Sequence, residues 1–226
     1  MQEIYTQTRS SHSIVSTNKV LKNTYMLLAM TMAVSAAACA VSIAIGLGHG
    51  VALMMNLAAL AIVWLVLPRT ANSASGIYVV FGFTALLGAS LGPTINHYLN
   101  MSGGSQVVLQ ALAGTALVFF GLSGYVLTTK KDFSFMQGFL ITGLIVVVVC
   151  AIALMVAGMF GVNIAGASLA ISAAIVFLMS GFILYDTSRI VNGGETNYVM
   201  ATVSLYLNIY NLFVSLLHIL GMSADD

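Results

Sequence analysis

The stretch FMQGFLITGLIVVVVCAIALMVAGMF (135–160) holds no charged residue. It exceeds the roughly 20 apolar residues a helix needs to cross about 30 Å of hydrocarbon. A barrel strand needs only ~9–11 residues of alternating character, so a run this long and uniform reads as a helix. Six similar runs surround it, at about 24–47, 50–67, 76–99, 106–128, 164–187 and 197–220. The links between them are short, so neighbours in sequence are expected to be antiparallel neighbours in space. The chain reads as an all-α, seven-span transmembrane helical bundle over 23–221, with polar tails at 1–22 and 222–226.

Composition leads to the same class. Of 226 residues, 60% are hydrophobic and 6% are charged. A soluble domain carries about a quarter charged residues, so this chain has too few to cover a water-facing surface. A net charge of +1 with no basic patch argues against a nucleic-acid partner. Cys39 and Cys150 both fall inside apolar runs and read as small packing residues, with no metal or disulfide framework. The first apolar run is too long for a leader's h-region and follows a polar segment, so no secretory leader is expected.

The basic residues set the expected orientation. Arg9, Lys19 and Lys22 precede span one, Arg69 follows span two, Lys130 and Lys131 follow span four, and Arg189 follows span six. All seven therefore lie on one side. By the positive-inside rule, and with an odd number of spans, the N-terminus is expected in the cytoplasm and the C-terminus on the opposite side.

The spans are rich in small residues, as in SAAACAVS (35–42) and GFTALLGASLG (82–92). Such residues let helix backbones approach closely in lipid. Pro93, after Gly92, is expected to kink span three. A faint internal echo relates ALVFFGLSGYVLTT (116–129) to AIVFLMSGFILYDT (174–187) and sets Thr129 against Asp186.

Asp186 is the only acid within an apolar run; Glu3, Asp132, Glu195, Asp225 and Asp226 lie in tails or links. A charge within hydrocarbon costs about 2.5–3.5 kcal/mol on insertion scales unless it finds water or a partner. Span seven offers partners: Ser204, Asn208, Asn211, Ser215 and His218 follow one another at spacings of 4, 3, 4 and 3. That polar stripe is expected to face the bundle interior or a wet cavity, which makes span seven a central helix. It reads either as interhelical hydrogen bonding or as the lining of a hydrated path. Asp186 likewise has two readings. In one it snorkels and pairs with Arg189. In the other it is a buried latch or gate near Asn208, with Arg69 as a further partner.

The segments SGFILYDTSRI (180–190) and TVSLYLNIYNLFVSLLHILG (202–221) resemble the Bax inhibitor-1 family of seven-span membrane proteins. STNKVLKNTY (16–25), GTALVFFGLSGYVLTTKKDFSF (114–135) and NGGETNYVMATVSLY (192–206) are similar to its proteobacterial YccA branch. The resemblance implies two functions. One is that of a partner, slow substrate or inhibitor of FtsH, the membrane-anchored AAA protease. A flexible polar tail would then supply an initiation end, and the tight bundle would resist extraction. The other is a pH-gated leak for Ca²⁺ or protons, built on an aspartate pair. Asp186 matches the first aspartate, but position 208 is asparagine. One carboxylate and one amide are a poor set for Ca²⁺, which takes six to eight oxygens. His12, His49, His97 and His218 share no location with a nucleophile or a paired acid, so neither an enzyme nor a cofactor is expected.

Overall fold

The computed structural model describes residues 2–224, with side chains from Thr17 to Ser223. The side chains of the tail before Thr17, among them Arg9 and His12, lie outside the described residues, as do Asp225 and Asp226. The helices are α1 (Gln2–Ala44), α2 (His49–Thr70), α3 (Ser75–Leu99), α4 (Gly104–Thr129), α5 (Gln137–Met159), α6 (Ala165–Val191) and α7 (Tyr198–Ala224). Each contains a stretch long and apolar enough to cross a membrane, so the seven expected spans are all present. Among the described residues all regular structure is helical. α1 extends back to Gln2, so the polar segment continues span one as helix.

Local chemistry explains the irregular points. Pro68 has no N–H, and its ring would meet the carbonyl four residues earlier. The turn before it, Ile62–Val66, widens accordingly, and the Leu67 N–H bonds the carbonyl of Ile62 five residues back. The Arg69 guanidinium donates to the Leu65 carbonyl beside this wide turn. Pro93 sits buried in α3, which runs as helix through it. α4 closes with Lys130 in the left-handed region at φ 52°, its N–H bonded to the Val126 carbonyl at 2.7 Å.

Two compact units divide the chain. The first comprises Met1–Met101 with Ile190–Tyr206, the second Ser102–Arg189 with Leu207–Asp226. α7 is one continuous helix that gives its opening turns to the first unit and the rest to the second.

In the first unit the small residues of α1 and α3 bring two backbones together. A Cβ on Gly88 would lie 2.6 Å from Ser35 Cα, and one on Gly92 would lie 2.6 Å from Ser42 Cβ. Glycine is required at both positions because neighbouring backbone, or a side chain held close to it, occupies the space. In the second unit α5 and α6 exchange leucines into glycine notches. A Cβ on Gly143 would lie 2.7 Å from Leu178, and one on Gly181 would lie 2.6 Å from Leu140. Leu140 is fully buried, whereas Ile145, Val149, Ile152 and Met155 along α5 remain open to lipid.

Candidate functional site

Asp186 lies near the end of α6 and is 8% exposed. Asn208, 7% exposed on α7, donates from Nδ2 to the Asp186 carboxylate at 2.7 Å. The structure therefore joins the two residues that sequence placed at similar depth. An amide supplies a donor without a second charge, which suits a carboxylate removed from water. The Asp186 side chain is buried at this end of the helix.

The surrounding turn is also polar and enclosed. The Thr187 hydroxyl lies 3.3 Å from that of Ser123 on α4. The Ser188 hydroxyl accepts from the Phe133 N–H at 2.9 Å and donates to the Lys131 carbonyl at 3.1 Å. Three consecutive residues, Asp186 to Ser188, thus fix the end of α6 to α7, to α4 and to the link after α4. Arg189 places its guanidinium over the Tyr185 ring, 5.6 Å from the centroid. Arg69 belongs to the first unit, is exposed, and is engaged with its own helix through Leu65.

The stripe on α7 is only partly interior. Asn208 and Ser215 are buried, and Ser204 and His218 are half-buried. His218 Nδ1 lies 2.9 Å from the hydroxyl of Ser172 on α6. Asn211 departs from expectation: it is exposed and donates to the carbonyl of Leu207 in its own helix. The spacing accounts for this. At about 100° per residue, Asn208 and Ser215 fall on one edge of the stripe and Asn211 and His218 on the other. Packing covers the first edge more completely than the second.

A second polar node, in the first unit, escaped the sequence reading. Tyr206 is 1% exposed. Its hydroxyl lies 2.7 Å from that of Ser35 on α1 and donates to the Thr84 carbonyl on α3 at 3.3 Å. Its ring meets Phe83 edge-on at 5.6 Å. The available signal was a tyrosine in mid-span, whose hydroxyl needs a partner when buried. Nearby, Thr202 donates to the Thr24 carbonyl at 3.3 Å. Asn197 accepts from the N–H groups of Val199 and Met200, capping α7, and donates to the Ala71 carbonyl and to Asn72.

Among the described residues, seven helices long and apolar enough to span a membrane and one buried carboxylate, held by an amide from the last helix, define a multi-pass membrane protein with a single acidic core position. The family model described as inhibitor of apoptosis-promoting Bax1 matches residues 17–225, and the chain belongs to that family. An uncharacterized membrane protein of Vibrio cholerae is 52% identical over 223 residues, covering 99% of this chain and 98% of the relative. The modulator of FtsH protease YccA of Escherichia coli is 45% identical over 226 residues, covering 100% of both chains. An uncharacterized protein of Pseudomonas aeruginosa is 45% identical over 207 residues, covering 92% of this chain and 90% of the relative.

Proposed function

We propose that this chain is an inner-membrane modulator of FtsH, acting as a slowly processed substrate or inhibitor, with its N-terminus in the cytoplasm and its C-terminus in the periplasm. The observation that carries the reading is the end-to-end similarity to a relative named as a modulator of that protease. The physics of α1 supports it. A protease that pulls from the N-terminus meets a helix whose backbone is wedged against α3 at Gly88 and Gly92 and tied at Thr24 and Ser35. Such a helix yields slowly and occupies the machine that pulls it. Deleting residues 1–20 is expected to slow turnover by purified FtsH. Unchanged turnover, together with no co-purification of protease and full chain, would sink the reading.

A second reading, a pH-gated leak for Ca²⁺ or protons at Asp186, rests on the buried Asp186–Asn208 contact. In this chain the pair carries one formal charge. We assign Asp186, Asn208 and Arg189 to a latch that holds α6 against α7. Flux of Ca²⁺ or protons through liposomes that Asp186→Asn abolishes would favour the leak. No flux in the parent between pH 5 and 8 would remove it.

A further inference from the structure

The link after α4 is built more elaborately than a connection of its length requires. Lys130 and Lys131 are both exposed there. The Lys131 ammonium donates to the Tyr125 hydroxyl at 3.0 Å and sits 5.6 Å from the centroid of the Tyr125 ring. That bond raises the lysine's pKa, so the charge is retained. Below it runs an aromatic ledge, with Tyr125 to Phe133 and Phe133 to Phe135 each 6.2 Å between ring centroids. Phe135 is 79% exposed. The one acid in the link, Asp132, is exposed and is engaged locally, accepting from the Ser134 N–H at 2.8 Å. Ser188 then clamps the backbone on both sides of Asp132, at Lys131 and Phe133.

We propose that this link is a docking site for the headgroup phosphate of an anionic phospholipid. Lys130 and Lys131 hold the phosphate, and Phe135 enters the acyl boundary. The occupant follows from position and charge. The link joins two spans, Gly104–Thr129 and Ser134–Met159, so its lysines lie at headgroup depth and cannot leave it. Positive side chains above exposed aromatic rings match an anionic interface, and each lysine near such a surface contributes affinity. The clamp through Ser188 makes the site rigid before lipid arrives. It also ties the site to the turn that carries Asp186.

Fluorescence quenching in vesicles tests this with the full chain. Trp64 is the only tryptophan, so Trp64→Phe with Phe135→Trp places a single reporter in the link. Brominated phosphatidylglycerol is compared with brominated phosphatidylcholine in mixed vesicles. The expected result is a preference of roughly five-fold for the anionic lipid at the reporter. Lys130→Gln with Lys131→Gln should bring it close to one, while Lys22→Gln at another exposed site should leave it unchanged. Ser188→Ala keeps both charges but releases the link, and should lower the preference. Equal quenching in the parent, or a preference that survives loss of both lysines, overturns the proposal. A parent-like value in Ser188→Ala overturns the rigid site.

Discussion

The polar nodes at Tyr206 and Asn208 stand two residues apart on the same helix and solve different problems. Tyr206, in the first unit, presents a neutral hydroxyl with two oxygen partners on two other helices. Asn208, in the second unit, presents an amide to a formal acid. Two residues rotate a helix by about 200°, so the side chains leave α7 on nearly opposite faces. A neutral node with redundant partners tolerates the loss of one of them. A node built on a carboxylate is more sensitive, because a buried acid that loses a hydrogen-bond donor keeps the cost of its removal from water. The first node acts as a fastener, and the second is the place where a change of charge alters the packing.

The largest expected effect tests the fastening in the first unit. Gly88→Ala places a methyl group against the Ser35 backbone, and α1 must move off α3. The expected loss is about 2–3 kcal/mol, the upper part of the range for overpacking. Equilibrium unfolding in mixed SDS micelles measures it. Gly121→Ala is the control, since nothing lies within 4 Å of its added Cβ. Equal behaviour of the two variants would show that the α1–α3 crossing is not tight.

The second node should follow. Asn208→Ala leaves the Asp186 carboxylate without its amide donor, at an expected cost of about 1–2 kcal/mol, allowing for the modest strength of hydrogen bonds within membranes. Asp186→Asn in the same background should recover part of this, because the charge has gone. No recovery would mean that the asymmetry between the nodes does not arise from charge. Tyr206→Phe should cost less, about 0.6 kcal/mol, since the Ser35 hydroxyl remains free to turn to another acceptor.

The distinction between the nodes was half legible in sequence. Six uncharged runs and a seventh whose one charge is Asp186 read as spans on length and composition, and the cost of a lone aspartate pointed to a partner, with Asn208 on the next span among the candidates. Tyr206 was missed because a tyrosine in an apolar run adds nothing to a hydropathy pattern; its role depends on Ser35 and Thr84, 171 and 122 residues away in sequence. Asn211 was misplaced for the opposite reason. Periodicity fixes which way a stripe points, but not how much of its width the neighbouring helices cover. The wide turn at Ile62–Val66 follows from Pro68, whereas a kink was expected at Pro93, in another span that runs as helix through it. The echo between 116–129 and 174–187 set Thr129 against Asp186. Thr129 is exposed and bonds its own helix at Tyr125, so the two positions do different work.

The smallest effect is the pH response of the link beside the buried node. Bonds from the backbone N–H and the side chain of Ser134 hold the Asp132 carboxyl below its ordinary value of 3.8. A folded pKa below the unfolded one means that the unfolded chain binds the proton more readily. The contribution of Asp132 is therefore complete above 3.8 and fades as pH falls through the lower, folded value. Exchange of the Ser134 amide should accelerate only in that acid range, and Asp132→Asn should remove the acid step while leaving exchange at neutral pH nearly unchanged. A transition seen between pH 5 and 8 and retained in Asp132→Asn could not come from this carboxylate.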